Sequence, residues 1–198
     1  MTDSLERTFQ ELRAHLTSEG GLAAPTHVDP FFTFVHDPGE TLELQRRWRR
    51  WRSILDRDGL KVEVHSLREI VWDVVEASGR WDDWLEAEEP GKYENINKSM
   101  RDVLLGSEAN PAARPGLLPR LTGILADETP GRLVLLTDAA LLHPWFRTDK
   151  IGTSLQGKIR CRTVLFYPGR RRAQYGLHFL DFHPEDNGSY RTTIVGGL

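Results

Sequence analysis

Apolar positions along the chain follow two rhythms, one of helical spacing and one of short continuous or alternating runs. Leu5, Phe9, Leu12 and Leu16 recur at steps of three and four behind Asp3 and Glu6, an acidic pair placed as a capping box, and predict an opening amphipathic helix stopped by Gly20 and Gly21. A connector over 25–30 leads to Phe31-Phe-Thr-Phe-Val35, apolar on both faces and therefore a strand inside a sheet. Leu44, Trp48, Trp51 and Leu55 form the stripe of a second helix whose positive end carries Glu40 and Glu43. Leu60, Val62 and Val64 then alternate with Lys61, Glu63 and His65, the pattern of a strand wet on one face and near a sheet edge. Ser66 and Glu69 open a third helix as a capping box, with Ile70, Val71 and Val74 inward and Gly79 as terminator.

From there helical spacing repeats without a strand. Trp81, Trp84 and Leu85, then Ile96, Met100, Val103 and Leu104, then Leu117, Leu118, Leu121, Ile124 and Leu125 predict successive buried stripes, broken by a proline- and alanine-rich loop over 106–119. Strands resume at Arg132 to Thr137 and Cys161 to Tyr167, the second closed by the Pro168-Gly169 loop. Leu177 to Phe182 and Tyr190 to Val195, separated by the turn Pro184-Glu-Asp-Asn-Gly188, read as a terminal hairpin. The fold class is α/β: a mostly parallel central sheet flanked by helices, similar to P-loop and Rossmann-like folds but without a phosphate loop. A helical insertion over 79–129 and a C-terminal hairpin complete a single domain over 1–198.

Composition narrows the setting. With 198 residues, 39% hydrophobic and 28% charged, the chain has material for a full core, and no run approaches a membrane span. The opening residues lack the basic flank and apolar run of a secretion signal, and Cys161 is the only cysteine, so no internal disulfide forms and a reducing, cytoplasmic setting is expected. A formal net charge of −3 gives no global pull toward nucleic acid or anionic lipid.

In an α/β sheet of this kind the loops at the carboxyl ends of the strands carry the chemistry. Here they read His36-Asp37-Pro38-Gly39, Asp138 to Trp145 and Pro168-Gly169, with no G-x-S-x-G elbow and no G-x-G-x-x-G loop. Gly152 to Lys158 fits the Walker A frame, but Ile159 stands where a Ser or Thr would hold magnesium, and a strand rather than a helix follows, so the match is a coincidence of spacing. After the first strand, where a phosphate loop belongs, Asp37 and Glu40 would repel an anion. His178, Asp181, His183, Glu185 and Asp186 are a dense run of metal-ligand types, yet strand alternation sets His178 apart from Asp181 and His183, and an ordinary strand and turn explains them. Asp138 and His143 read either as an acid–base pair or as a helix cap and a His-Pro turn, the second being the simpler account. No metal, cofactor or catalytic residue is expected.

Arginines are concentrated locally. Arg46, Arg47, Arg49, Arg50, Arg52 and Arg57 lie on the second helix away from its tryptophan stripe, and Arg170, Arg171 and Arg172 follow Pro168-Gly169. A solvated face is the ordinary reason for such a run. Where it does bind, guanidinium groups suit an acidic protein partner or a phosphate backbone, which makes Arg46, Arg49, Arg50, Arg170, Arg171 and Arg172 the candidate contact residues.

The ordered series of strands and exit turns resembles the BrxB family of BREX bacteriophage-defence systems. It comprises Pro30-Phe-Phe-Thr-Phe-Val-His-Asp-Pro38, Val62-Glu-Val-His-Ser-Leu67, Leu133-Val-Leu-Leu-Thr137 with Pro144-Trp-Phe-Arg147, Val164-Leu-Phe-Tyr-Pro-Gly169, and Leu177-His-Phe-Leu180 before Tyr190-Arg191. The resemblance implies a small non-catalytic adaptor acting beside larger proteins: the phosphatase-like PglZ, an ATPase and a DNA methyltransferase. It also leaves two other roles open, a subunit that touches the DNA backbone within the complex, and a degenerate nucleotide-binding enzyme. No membrane partner is implied.

Overall fold

Phe31–His36, strand β1, is buried at every position, because it lies inside a parallel sheet with both faces covered. The computed structural model describes residues 3–17, 30–88, 93–106, 116–172, 176–180 and 192–197. Before β1 comes helix α1 (Ser4–Thr17), and after it α2 (Thr41–Arg57), which crosses to the edge strand β2 (Lys61–Ser66). Among the described residues four helices follow without a strand: α3 (Leu67–Ser78), α4 (Trp81–Glu86), α5 (Tyr93–Leu105) and α6 (Leu117–Leu125). β3 (Arg132–Thr137), α7 (Asp149–Ser154), β4 (Arg162–Arg172), β5 (Gly176–Phe179) and β6 (Thr193–Gly196) complete the order.

The sheet order is β2-β3-β4-β1-β6, all parallel, with β5 antiparallel to the far end of β4. Travel along the sheet reverses at β2. Since parallel crossovers are right-handed, that reversal moves the connecting helices to the other face. One core accordingly joins α1 and α2 to one face of the sheet: Leu5, Phe9, Leu12 and Leu16 meet Trp51, Leu55, Phe34 and Phe166. The other joins α3 to α7 to the opposite face around Leu67, Val74, Leu104, Leu121, Val134 and Leu165.

Local signals in the sequence behave as their chemistry dictates. The Ser66 hydroxyl accepts from the Glu69 N–H at 3.3 Å and caps α3, and Gly79 ends it in the left-handed region at φ 65°. Asp3 Oδ1 accepts from the Leu5 N–H at 3.1 Å at the head of α1. β2 is an edge strand among the described residues, as its alternation predicts.

Three expectations are corrected. β4 does not stop at Tyr167: it runs through Pro168 and Gly169 to Arg172. Pro168 sits opposite His36, the last residue of β1, so the missing N–H falls where parallel pairing ends, and its carbonyl accepts from the Leu180 N–H at 3.0 Å as β5 takes over. Among the described residues the two last segments do not pair with each other. β5 folds back on β4, while β6 lies parallel to β1, adding to a sheet edge that a local hairpin would leave open. The turn over 184–188 lies outside the described residues, as do Gly20, Gly21, the connector over 25–29 and most of the loop over 106–119. Finally, Trp81 and Leu85 are not core residues. Only Trp84 of that predicted stripe is buried, while Trp81 packs edge to face on the exposed Trp72 instead of the core.

Candidate functional site

The chain leaves β1 toward the α2 face and β3 toward the opposite face, so the two exit loops part and leave a crevice outside the carboxyl ends of the strands, where doubly wound sheets place ligands. The hollow measures about 290 Å³. Leu44 and Trp48 of α2, Val64 of β2, Phe166 of β4 and Leu141 after β3 supply most of its wall, with His36, Thr137 and Asp138 as its polar edge. Val64 and Leu141 are nearly half exposed there.

The loop after β1 cannot cradle an anion, and the reason is geometric. Pro38 has no N–H. The Gly39 N–H donates to Asp37 Oδ1 at 2.8 Å, the Glu40 N–H to the Asp37 carbonyl at 2.9 Å, and the Thr41 N–H to the Pro38 carbonyl. A phosphate loop presents such donors outward; here the turn consumes them. The second Asp37 oxygen accepts from Arg170 Nη2 at 3.2 Å, tying this loop to the extended end of β4.

Across the crevice, Asp138 adopts a left-handed conformation at φ 61° and does not cap the short turn (Ala139–Leu142) behind it. Its Oδ2 instead accepts from the Ser66 hydroxyl at 2.6 Å and the Thr137 hydroxyl at 3.1 Å, joining the ends of β2 and β3. The helix-cap reading of Asp138 is thus corrected to a strand-end clasp. The neighbouring His143 precedes a cis proline and lies against the Phe179 ring, centroids 6.3 Å apart.

His36 ends β1 almost wholly buried, and its Nδ1–H donates to the Asp37 carbonyl at 3.0 Å. Burial holds its imidazole below the usual histidine value of 6.5. The unfolded chain therefore takes up a proton that the folded chain refuses, so this residue's contribution is full above pH ~6.5 and is lost as pH falls toward the lowered folded value. We expect the urea midpoint of the wild type to drop between pH 7.5 and pH 5.5, and His36→Gln to flatten that drop; an equal drop in the variant would refute the assignment.

Of the candidate arginines, Arg46 lies 3.6 Å from Glu43 and Arg50 3.7 Å from Glu6, both largely exposed, while Arg49 is exposed and its carbonyl accepts from the Ser53 hydroxyl. Arg47, on the same helix, is held between Asp3 and Glu43. Acidic groups of α1 and α2 thus offset part of the positive face. Arg170, Arg171 and Arg172 are not a loop cluster but successive strand residues opposite His178, Leu177 and Gly176, and alternation sends the Arg170 and Arg171 side chains to opposite faces. Arg170 turns to Asp37 at the strand ends.

The Walker-like stretch lies on α7 and the turn before β4, at the amino end of the parallel strands and away from the crevice, with Ile159 buried in the core. Among the described residues no group of three His, Cys, Asp or Glu side chains is placed to hold a metal ion; Asp181, His183, Glu185 and Asp186 lie outside them. Cys161 is buried, its thiol pushed up by desolvation and packed beside the Arg132 guanidinium at 3.4 Å. Arg132 also forks onto Glu63 at 2.6 and 3.0 Å. No helix among the described residues is long and apolar enough to cross a membrane.

One exposed feature escaped the sequence reading. Trp72 and Trp81 stand in solvent and touch each other, centroids 5.0 Å apart. The spacing of α3 carries the signal, because Trp72 falls between Arg68 and Glu76, off the stripe of Leu67, Ile70 and Val74.

A family model described as BREX protein BrxB matches residues 63–194, two-thirds of the chain, from within β2 into β6. No curated protein and no solved structure matches.

Proposed function

The chain belongs to the BrxB family and is a component of a BREX defence system; from that premise we propose that it is a non-catalytic adaptor of the cytoplasm that binds a PglZ-type protein and helps assemble the defence complex. One observation carries the reading: the ligand-binding end of a doubly wound sheet here has its backbone donors consumed by the turn after β1 and an apolar crevice beside it. Such an end suits protein side chains better than a nucleotide, whose phosphates need outward donors and cations. The degenerate-enzyme reading has little to stand on for the same reason.

A DNA-backbone contact through α2 is the second reading, and the exposed Arg46, Arg49 and Arg50 favour it. It requires binding that weakens steeply with salt. The ion pairs of Arg46 and Arg50 within the chain make it the weaker of the two.

Co-expression of the tagged chain with its cognate PglZ-type protein tests the adaptor role. The two are expected to co-elute from a sizing column at micromolar concentration, and separate elution would reject the proposal. Titration with ATP and magnesium is expected to release no binding heat, and labelled duplex to show no shift at physiological salt.

A further inference from the structure

Large aromatic side chains gain more than most from leaving water, so two tryptophans held together in solvent call for a reason. Trp72 on α3 is 47% exposed and Trp81 at the head of α4 is 41% exposed. They meet edge to face, and Leu85, one turn beyond Trp81, is 51% exposed. The pair is held in place. Gly79 turns the chain so that α4 folds back on α3, and the buried Trp84 anchors α4 by donating from Nε1 to the Ser99 hydroxyl at 3.1 Å. Arg80 donates to the same hydroxyl at 3.1 Å.

Charge supplies the second observation. Residues 67–88 carry seven carboxylates against Arg68 and Arg80, although the whole chain is only −3. Glu76 lies one turn from Trp72, and Asp82 and Asp83 follow Trp81, all exposed. An aromatic surface rimmed by carboxylates selects a guanidinium: the planar cation stacks on an indole face and forks onto a carboxylate, which an ammonium does less well. Fixed exposed tryptophans are also the residue type that carries most binding energy at interfaces.

We propose that the Trp72–Trp81–Leu85 surface is the docking site for a basic, arginine-bearing segment of a partner protein. It lies on the face of the sheet opposite the arginine helix α2 and within the stretch matched by the family model. The inference rests on the adaptor reading for the identity of the partner, but not for the chemistry of the surface.

Two arms test it on the full chain. In the first, a synthetic peptide of alternating arginine and leucine, and its lysine counterpart, are titrated against the wild type and the Trp72→Ala/Trp81→Ala variant by calorimetry. The arginine peptide should bind the wild type about fivefold more tightly than the lysine one, and the variant should lose that binding. Equal binding of the two peptides, or binding that survives loss of both tryptophans, overturns the proposal. In the second arm the affinity for the PglZ-type protein is measured. The double variant should weaken it about 30-fold or more, and Glu76→Gln/Asp82→Asn/Asp83→Asn should weaken it about three- to tenfold with a shallower salt dependence. Circular dichroism and the thermal midpoint check that each variant is folded, as expected for exposed sites. If the wild type fails to bind PglZ while the peptide arm succeeds, the adaptor reading falls and the surface stands. If it binds PglZ and both variants bind equally, the surface falls. Self-association of the wild type that the double variant abolishes would place a second copy on this face and also overturn the proposal.

Discussion

Trp51→Ala is expected to lower the unfolding free energy by about 3–5 kcal/mol, a large part of the 5–15 kcal/mol typical of a domain. The ring is 1% exposed and stacks on Phe9 at 4.5 Å with an interplanar angle of 1°. It also packs against Phe34 at 5.9 Å, and its Nε1 donates to Glu6 at 3.4 Å. It therefore joins α1, α2 and β1 at one point, and alanine leaves a cavity that neither helix can close without leaving the sheet. Urea denaturation gives the measurement, as a fall in midpoint at an unchanged slope. Trp48→Ala serves as the comparison, since Trp48 is only partly buried and borders the open crevice. A loss at Trp51 no greater than that at Trp48 would show that the α1–α2 core is not centred there.

Gly169→Ala is expected to break the hairpin of β4 and β5. An added Cβ would stand 2.1 Å from the His178 carbonyl oxygen and 2.8 Å from Tyr167 Cε1, and the first obstacle is backbone that cannot swing aside. Forced crowding of this kind costs about 1–3 kcal/mol, and here the damage is local. Amide exchange should accelerate across Gly176–Phe179, with β1, β3 and the parallel part of β4 still protected. The tie from Arg170 to Asp37 should loosen with it. Unchanged protection over β5 would mean that the close approach at Gly169 is not needed for the pairing.

The two expectations differ in how far the sequence announced them. Trp51 belongs to a stripe with Leu44, Trp48 and Leu55, whose helical spacing names the buried face before any partner is known. Gly169 follows a proline, and Pro-Gly ordinarily punctuates a chain, so the local pattern predicts that β4 ends there. The strand continues because its partners change at that point, from β1 on one side to β5 beyond, and no local pattern encodes a change of partner. The same limit explains β6, whose alternation announces a strand but not that its neighbour is β1.

The candidate site divides along similar lines. That the loop after β1 is no anion cradle was legible in Asp37, Pro38 and Glu40, through charge and a missing N–H. That its remaining donors close on Asp37 and Pro38, that Asp138 clasps Ser66 across strands, and that Arg170 reaches Asp37 were not, because each contact joins elements distant in the chain or depends on turn geometry. The exposed Trp72–Trp81 pair is a mixed case: the period of α3 sets Trp72 off the buried stripe, but a six-residue α4 offers too few turns for spacing to say which of Trp81, Trp84 and Leu85 faces inward.

By itself, then, the sequence determined the identity of the elements, the parallel buried strands, the caps at Ser66 and Gly79 and the absence of a phosphate loop, all of which follow from the local chemistry of neighbouring residues. Strand order, the partner exchange at Pro168, the two-sided packing of helices and the aromatic surface on α3 and α4 were decided only in three dimensions. The physical reason is that local energetics fix which conformation a segment prefers, whereas the choice of its neighbour is settled by burial and pairing summed over the whole chain.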